Sequence, residues 1–115
     1  MNLLGPVYFA EASADVREVD KPVLEKNAAV LKRFDFLDIT LEAHCDARGS
    51  TEYNLQLGER RLKTVFKRMV ALGVPASRLR TVSFGKEVPL CSSSDEDCLT
   101  RSRRVSFSVT GKQRE

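Results

Sequence analysis

Two residues of opposite charge open the chemical reading of this chain. Asp46 sits in the run His44-Cys45-Asp46-Ala47-Arg48-Gly49, and Arg61 follows fifteen residues later, closing Tyr53-Asn54-Leu55-Gln56-Leu57-Gly58-Glu59-Arg60-Arg61. If a strand ends near residue 44 and a helix starts near residue 51, a strand–turn–helix unit brings both groups to one rim. A carboxylate beside a guanidinium suits a zwitterion such as the head of an amino acid. Asp46 would take the ammonium, and the planar fork of Arg61 would take the carboxylate through both oxygens. The blander reading is that Asp46 and Arg61 pair with each other or with neighbours and only fix the turn.

The helix that carries Arg61 adds to this. Asn54, Leu57, Gly58 and Arg61 recur at i, i+3, i+4 and i+7, so they share one stripe beside the apolar stripe. Core packing alone does not call for Asn and Arg there. On that reading, Arg61→Ala would abolish binding with little loss of fold. The helix start also offers backbone N–H groups to an anion. His44, the single histidine, would need an activated nucleophile to act as a base. Cys45 is adjacent, but neighbouring strand residues point to opposite faces. His44 is therefore expected to order the turn, and no catalytic residue and no cofactor are expected.

The elements that must position these groups follow from periodicity. Pro6-Val7-Tyr8-Phe9 reads as a short first strand, and residues 10–18 as a loop. Asp20 is placed to cap a helix with Pro22 in its first turn. Leu24, Ala28 and Leu31 give that helix an apolar stripe from about Lys21 to Arg33. Leu37, Ile39, Leu41 and Ala43 alternate with Asp38, Thr40, Glu42 and His44, a strand with one buried face. Ser50 or Thr51 caps the second helix, whose Leu55, Leu62, Val65, Phe66, Met69 and Val70 follow helical spacing. Gly73 stops it, with Pro75 just beyond. Leu79 to Phe84 forms a third strand, ended by Gly85. Val105, Phe107 and Val109 alternate with serines in a fourth, and residues 112–115 are expected to fray. The order is β-α-β-α-β-loop-β, an α+β two-layer sandwich with the helices on one face of the sheet.

Bulk properties narrow the function classes. At 115 residues with 42% hydrophobic and 30% charged content, the chain fits one soluble domain over residues 1–115. A net charge of +3 falls short of a dedicated nucleic-acid binder. No apolar run reaches membrane-spanning length, and the first residues lack the pattern of a secretory signal. Any membrane attachment is therefore expected from an anchor outside this chain. Of three cysteines, Cys91 and Cys98 flank a polar loop, Ser92-Ser93-Ser94-Asp95-Glu96-Asp97. A disulfide there would close about eight residues and stabilise by roughly 2–3 kcal/mol; the alternative is two reduced thiols. Metal binding is not expected, since no second Cys/His pair stands at ligand spacing. Cys45 reads as a small buried residue.

The run from His44 to Gly49, followed by Glu52 to Arg61, resembles the signature of the OmpA-like carboxy-terminal domain family, nearest to its peptidoglycan-associated lipoprotein branch. The resemblance continues through Gly73-Val74-Pro75-Ala76-Ser77-Arg78-Leu79, Ser83-Phe84-Gly85-Lys86-Glu87-Val88-Pro89 and Arg103-Arg104-Val105, and Val7-Tyr8-Phe9 fits the family's first strand. It implies a mixed sheet and non-covalent binding of peptidoglycan through the diaminopimelate of the stem peptide. Asp46 and Arg61 would hold the zwitterionic end of that residue. Leu57 would line the pocket, Asn54 would support it, and Phe9 and Arg104 would complete the ligand set. Arg103 and Arg104 otherwise read as a solvated strand end. The implied place is the bacterial periplasm, with a tether to the outer membrane, and envelope proteins are possible partners.

The chain departs from the family at three positions. The family places an acidic residue after the phenylalanine of the first strand, where this chain has Ala10, followed by Glu11. Cys45 stands where a small residue or Thr is usual, and Ala43 where Gly is usual. The first departure alters one wall of the pocket and keeps a rival open: an envelope protein–protein interaction module with a degenerate wall site. A His44–Cys45 enzyme and a nucleic-acid binder with steep salt dependence are the remaining rivals.

Overall fold

The computed structural model describes residues 3–44, 50–85 and 102–112. The elements are β1 (Val7–Tyr8), α1 (Lys21–Arg33), β2 (Leu37–His44), α2 (Thr51–Ala71), β3 (Leu79–Gly85) and β4 (Arg104–Lys112), with short 3-10 turns at Glu18–Asp20 and Ala76–Arg78. One four-stranded sheet has the order β1-β4-β2-β3. The β2–β3 pair is parallel, while β1–β4 and β2–β4 are antiparallel. The expected mixed α+β sheet is therefore the fold. The predicted bounds of both the first helix and the second strand are reproduced to the residue. The Cys91–Cys98 loop, Cys45 and residues 113–115 lie outside the described residues.

Alternation decides which way each strand faces. Ile39, Leu41 and Ala43 of β2, Val105 and Phe107 of β4, and Val7 of β1 point into one hydrophobic cluster. Leu24, Ala28 and Leu31 of α1 and Leu62, Val65 and Met69 of α2 close it from the same side. Each of the larger side chains taken out of water contributes about 1.5–3 kcal/mol before entropy is counted, and each alanine about half the lower figure. Val70 keeps the helical spacing but faces outward, 41% exposed. At Gly58 helix and sheet come closest: a Cβ there would overlap the Ser83 hydroxyl and sit 3.4 Å from Ala43 Cβ.

The helix ends are set by three different devices. Ser50 is extended, and its Oγ accepts from the Tyr53 N–H at 3.0 Å, which is the expected cap of α2. Gly73 leaves α2 with φ +103, a left-handed exit suited to a residue without Cβ. Asp20 does not cap α1. It already has helical backbone angles because the 3-10 turn runs straight into the helix. Its carboxylate instead takes Arg17 Nε at 2.6 Å.

Two polar side chains fasten irregular segments to this frame. Asn27, buried in α1, accepts from Gly5 N at 2.9 Å and donates to Gly5 O at 2.8 Å, so one amide satisfies both backbone groups of a residue in the N-terminal segment. Arg78, 5% exposed, donates to Leu31 O, Phe34 O and Leu37 O at 2.8, 2.8 and 2.9 Å. These carbonyls end α1 and begin β2, and a cation there also opposes the negative end of the helix. Arg78→Met keeps the apolar stem and removes three donors. It is expected to lower stability by about 3 kcal/mol in urea unfolding, whereas a change under about 0.5 kcal/mol would mean that water replaces the guanidinium at no cost.

Candidate functional site

The stripe Asn54, Leu57, Gly58, Arg61 is buried along its whole length. Arg61 is 0% exposed, the largest fully buried side chain of the described residues. Its Nε donates to Ser13 O at 2.8 Å and its Nη2 to Ala10 O at 3.1 Å. The guanidinium carbon stands 5.1 Å from the centre of the Phe9 ring, within cation–π range. The segment after β1 thus closes over Arg61. This overturns the expectation that packing needs neither Asn54 nor Arg61: both lie under other residues, and Arg61 joins segments 48 and 51 residues apart.

That segment is a tight turn. Ser13 N–H donates to Ala10 O at 3.1 Å, and Ala12 has φ +57, the one positive φ outside glycine among the described residues. A four-residue turn with a positive φ at its third position favours Gly or Asn; an alanine there costs about 1–2 kcal/mol. Ala10 brings no carboxylate, as the sequence reading noted, but its carbonyl oxygen is the atom that Arg61 uses.

Arg103 joins the same cluster. It is 7% exposed, its Nε donates to Phe9 O at 3.2 Å, and its carbonyl accepts from Phe9 N–H at 2.9 Å. The family resemblance points to Arg104, not Arg103, for the ligand set. The inward alternation of Val105 and Phe107, carried two residues back, would have placed 103 on the core side and 104 on the other.

Arg104 lies on the sheet face away from both helices, in a row with Tyr8 of β1 and His44 of β2. Its Nε donates to Ser106 Oγ at 3.0 Å, and its buried Nη1 has no hydrogen-bond partner among the described residues. Burial holds its pKa below the usual arginine value, with Tyr8 and Glu42 pulling the other way. His44 is buried and stacks on Phe84, ring centres 5.0 Å apart at 30°. A β-bulge lies between Ala43 and His44 in the β2–β3 pairing, two residues before Asp46 in the chain. Asp46 itself lies outside the described residues. Phe9, Asn54, Leu57 and Arg61 are thus on the helix side, and Arg104 is across the sheet from them.

Known proteins share this fold and much of this sequence. A family model described as the OmpA family matches residues 8–104. The chain is 38% identical over 105 residues to a peptidoglycan-associated lipoprotein of Agrobacterium fabrum, covering 91% of this chain and 59% of that protein. It is 40% identical over 98 residues to the protein of the same name in Pseudomonas aeruginosa, covering 85% of this chain and 58% of that one. The chain therefore spans a little under three fifths of these curated relatives. The crystal structure of the peptidoglycan-associated lipoprotein from Burkholderia pseudomallei superposes with a TM-score of 0.87 at 32% identity, over 91% of this chain and 89% of that one.

Arg61→Ala would leave the Ser13 carbonyl without its donor, take one of two donors from the Ala10 carbonyl and open a void beside Phe9. The expected cost is about 3 kcal/mol or more of folding free energy, read as a lower urea midpoint. An unchanged midpoint would return Arg61 to a purely ligand-facing role.

Proposed function

Because the chain belongs to the OmpA family, we propose that it binds peptidoglycan non-covalently and fastens an envelope component to the cell wall. The observation that carries this reading is the match over 91% of the chain to a relative named for its association with peptidoglycan. The matched family stretch includes Phe9, Asp46, Asn54, Leu57, Arg61 and Arg104. The described residues support it: a buried cation stands beside an aromatic ring and under the turn after β1.

The ligand in this reading is the diaminopimelate of a stem peptide. Its free end carries an ammonium and a carboxylate on one carbon, which matches the pair Asp46 and Arg61. Leu57 supplies apolar contact and Asn54 braces the helix start. Phe9 presents a ring to the aliphatic part of the ligand. Arg104, across the sheet, would meet a different part of the polymer. The domain performs no chemistry on the wall. His44, the best candidate for a base, is buried against Phe84. A few charge-assisted hydrogen bonds give modest affinity for one stem peptide, and many sites on one wall multiply it. The place of action in this reading is the bacterial periplasm, at the outer membrane.

Three stem peptides test this: one with free diaminopimelate, one with its side-chain carboxylate amidated, and one with lysine in its place. Calorimetric titration should rank the free acid first. The other two should bind about tenfold more weakly, for the loss of a charged hydrogen-bond partner. Equal affinity for all three, or none for any, would overturn the reading.

A further inference from the structure

Arg61 is bound to the chain along one edge of its guanidinium. Nε and Nη2 form the fork that would otherwise grip a carboxylate side-on, and both donate to carbonyl oxygens of a single turn, Ser13 and Ala10. Between those oxygens lies Ala12 with φ +57, a conformation that an alanine avoids when unconstrained. The clamp and the left-handed residue therefore occur in the same four residues.

We infer that Arg61 is a positioning residue for the turn Ala10–Ser13, and that this turn, held in its left-handed form, is one wall of the ligand site. The inference rests on the wall-binding reading and deepens it. The burial of Arg61 makes the connection. With no part of the residue reaching solvent, a ligand group can approach it only alongside the segments that cover it, and the turn is one of them. Ala10, Glu11 and Ala12 are themselves exposed, so the outer side of the turn is available to a ligand while its carbonyls face inward. Phe9, 2% exposed, stands directly before the turn and under the guanidinium. The carbonyl of Ala10 thus fixes the shape of the wall without contributing a side chain to it.

The test separates shape from charge. Ala12→Val keeps Arg61 intact and puts a β-branched residue where φ is positive, at an exposed position that should not disturb the core. Binding of a diaminopimelate-containing stem peptide should weaken about tenfold, while the protein stays folded with a melting temperature lowered by a few degrees. Arg61→Lys keeps the charge and loses the fork, and should also bind about tenfold more weakly. Adding Ala12→Gly to Arg61→Lys lets the turn form without its clamp, and should recover about threefold or more.

Wild-type affinity in Ala12→Val, or no recovery in the double variant, would overturn the inference and leave Arg61 a direct contact only. A second readout needs no ligand. Amide signals of residues 10–13 should shift in Arg61→Lys and return toward the parent positions when Ala12→Gly is added; unchanged signals in Arg61→Lys would overturn the positioning role. If the parent protein binds neither the peptide nor insoluble peptidoglycan, the wall-binding reading fails and with it the claim that the turn is a ligand wall.

Discussion

Irregular backbone has to find donors for its carbonyl oxygens, and in this domain buried arginines supply them. Regular strands and helices satisfy their own groups; the segments between them do not. Arg78 serves the passage from α1 to β2, Arg61 serves the turn after β1, and Arg103 serves Phe9 at the edge of that turn. A guanidinium suits this work because its N–H groups radiate in a plane from one stiff head. A long side chain can thus reach from a regular element to a distant loop and hold several carbonyls at once.

The same constraint explains why the proposed binding region can be so irregular. β1 has only two residues, and the chain that follows it has no ladder to join until α1. Without Arg61 and Arg103 that segment would have few ties to the sheet. With them, the loop is gripped by α2 through Arg61 and joined to the start of β4 through Arg103. The face away from the helices is organised differently. There short polar contacts run from strand to strand: Ser108 to Glu42 at 2.9 Å and Thr40 to Thr110 at 2.8 Å. One side of the sheet is knit by apolar packing and long arginines, the other by hydroxyls.

Much of this was readable in the sequence because it rests on periodicity. The alternation from Leu37 to His44 and the spacing of Leu24, Ala28 and Leu31 report burial directly, and the structure follows them. What escaped depends on contacts between residues far apart in the chain. Spacing alone shows Arg61 on a polar stripe; it cannot show that Ala10 and Ser13 come down over it. Ala10 was read by its missing carboxylate, while its use here is a main-chain oxygen that every residue has. Asp20 misled for a local reason: a 3-10 turn upstream gave it helical angles, and Arg17 offered a better partner than the helix N–H groups. The choice between Arg103 and Arg104 was within reach, since strand alternation carried to residue 103 already sends it inward.

The amide pair between Gly5 and Asn27 has a mechanical meaning once the segments are taken in order along the chain. Tension entering from the N-terminal side meets buried Leu4 and that pair, then the two-residue pairing of β1 with β4, then Phe9 and the turn held by Arg61. These fastenings stand in series, so none bears load until the one before it has given way. Asn27 is anchored in α1 and takes the pull into the helix layer, away from β1. Under the proposed wall-binding role, the N-terminal amide clamp would act as a strain relief, spending traction on the chain before Gly5 in the helix layer before it reaches the turn held by Arg61.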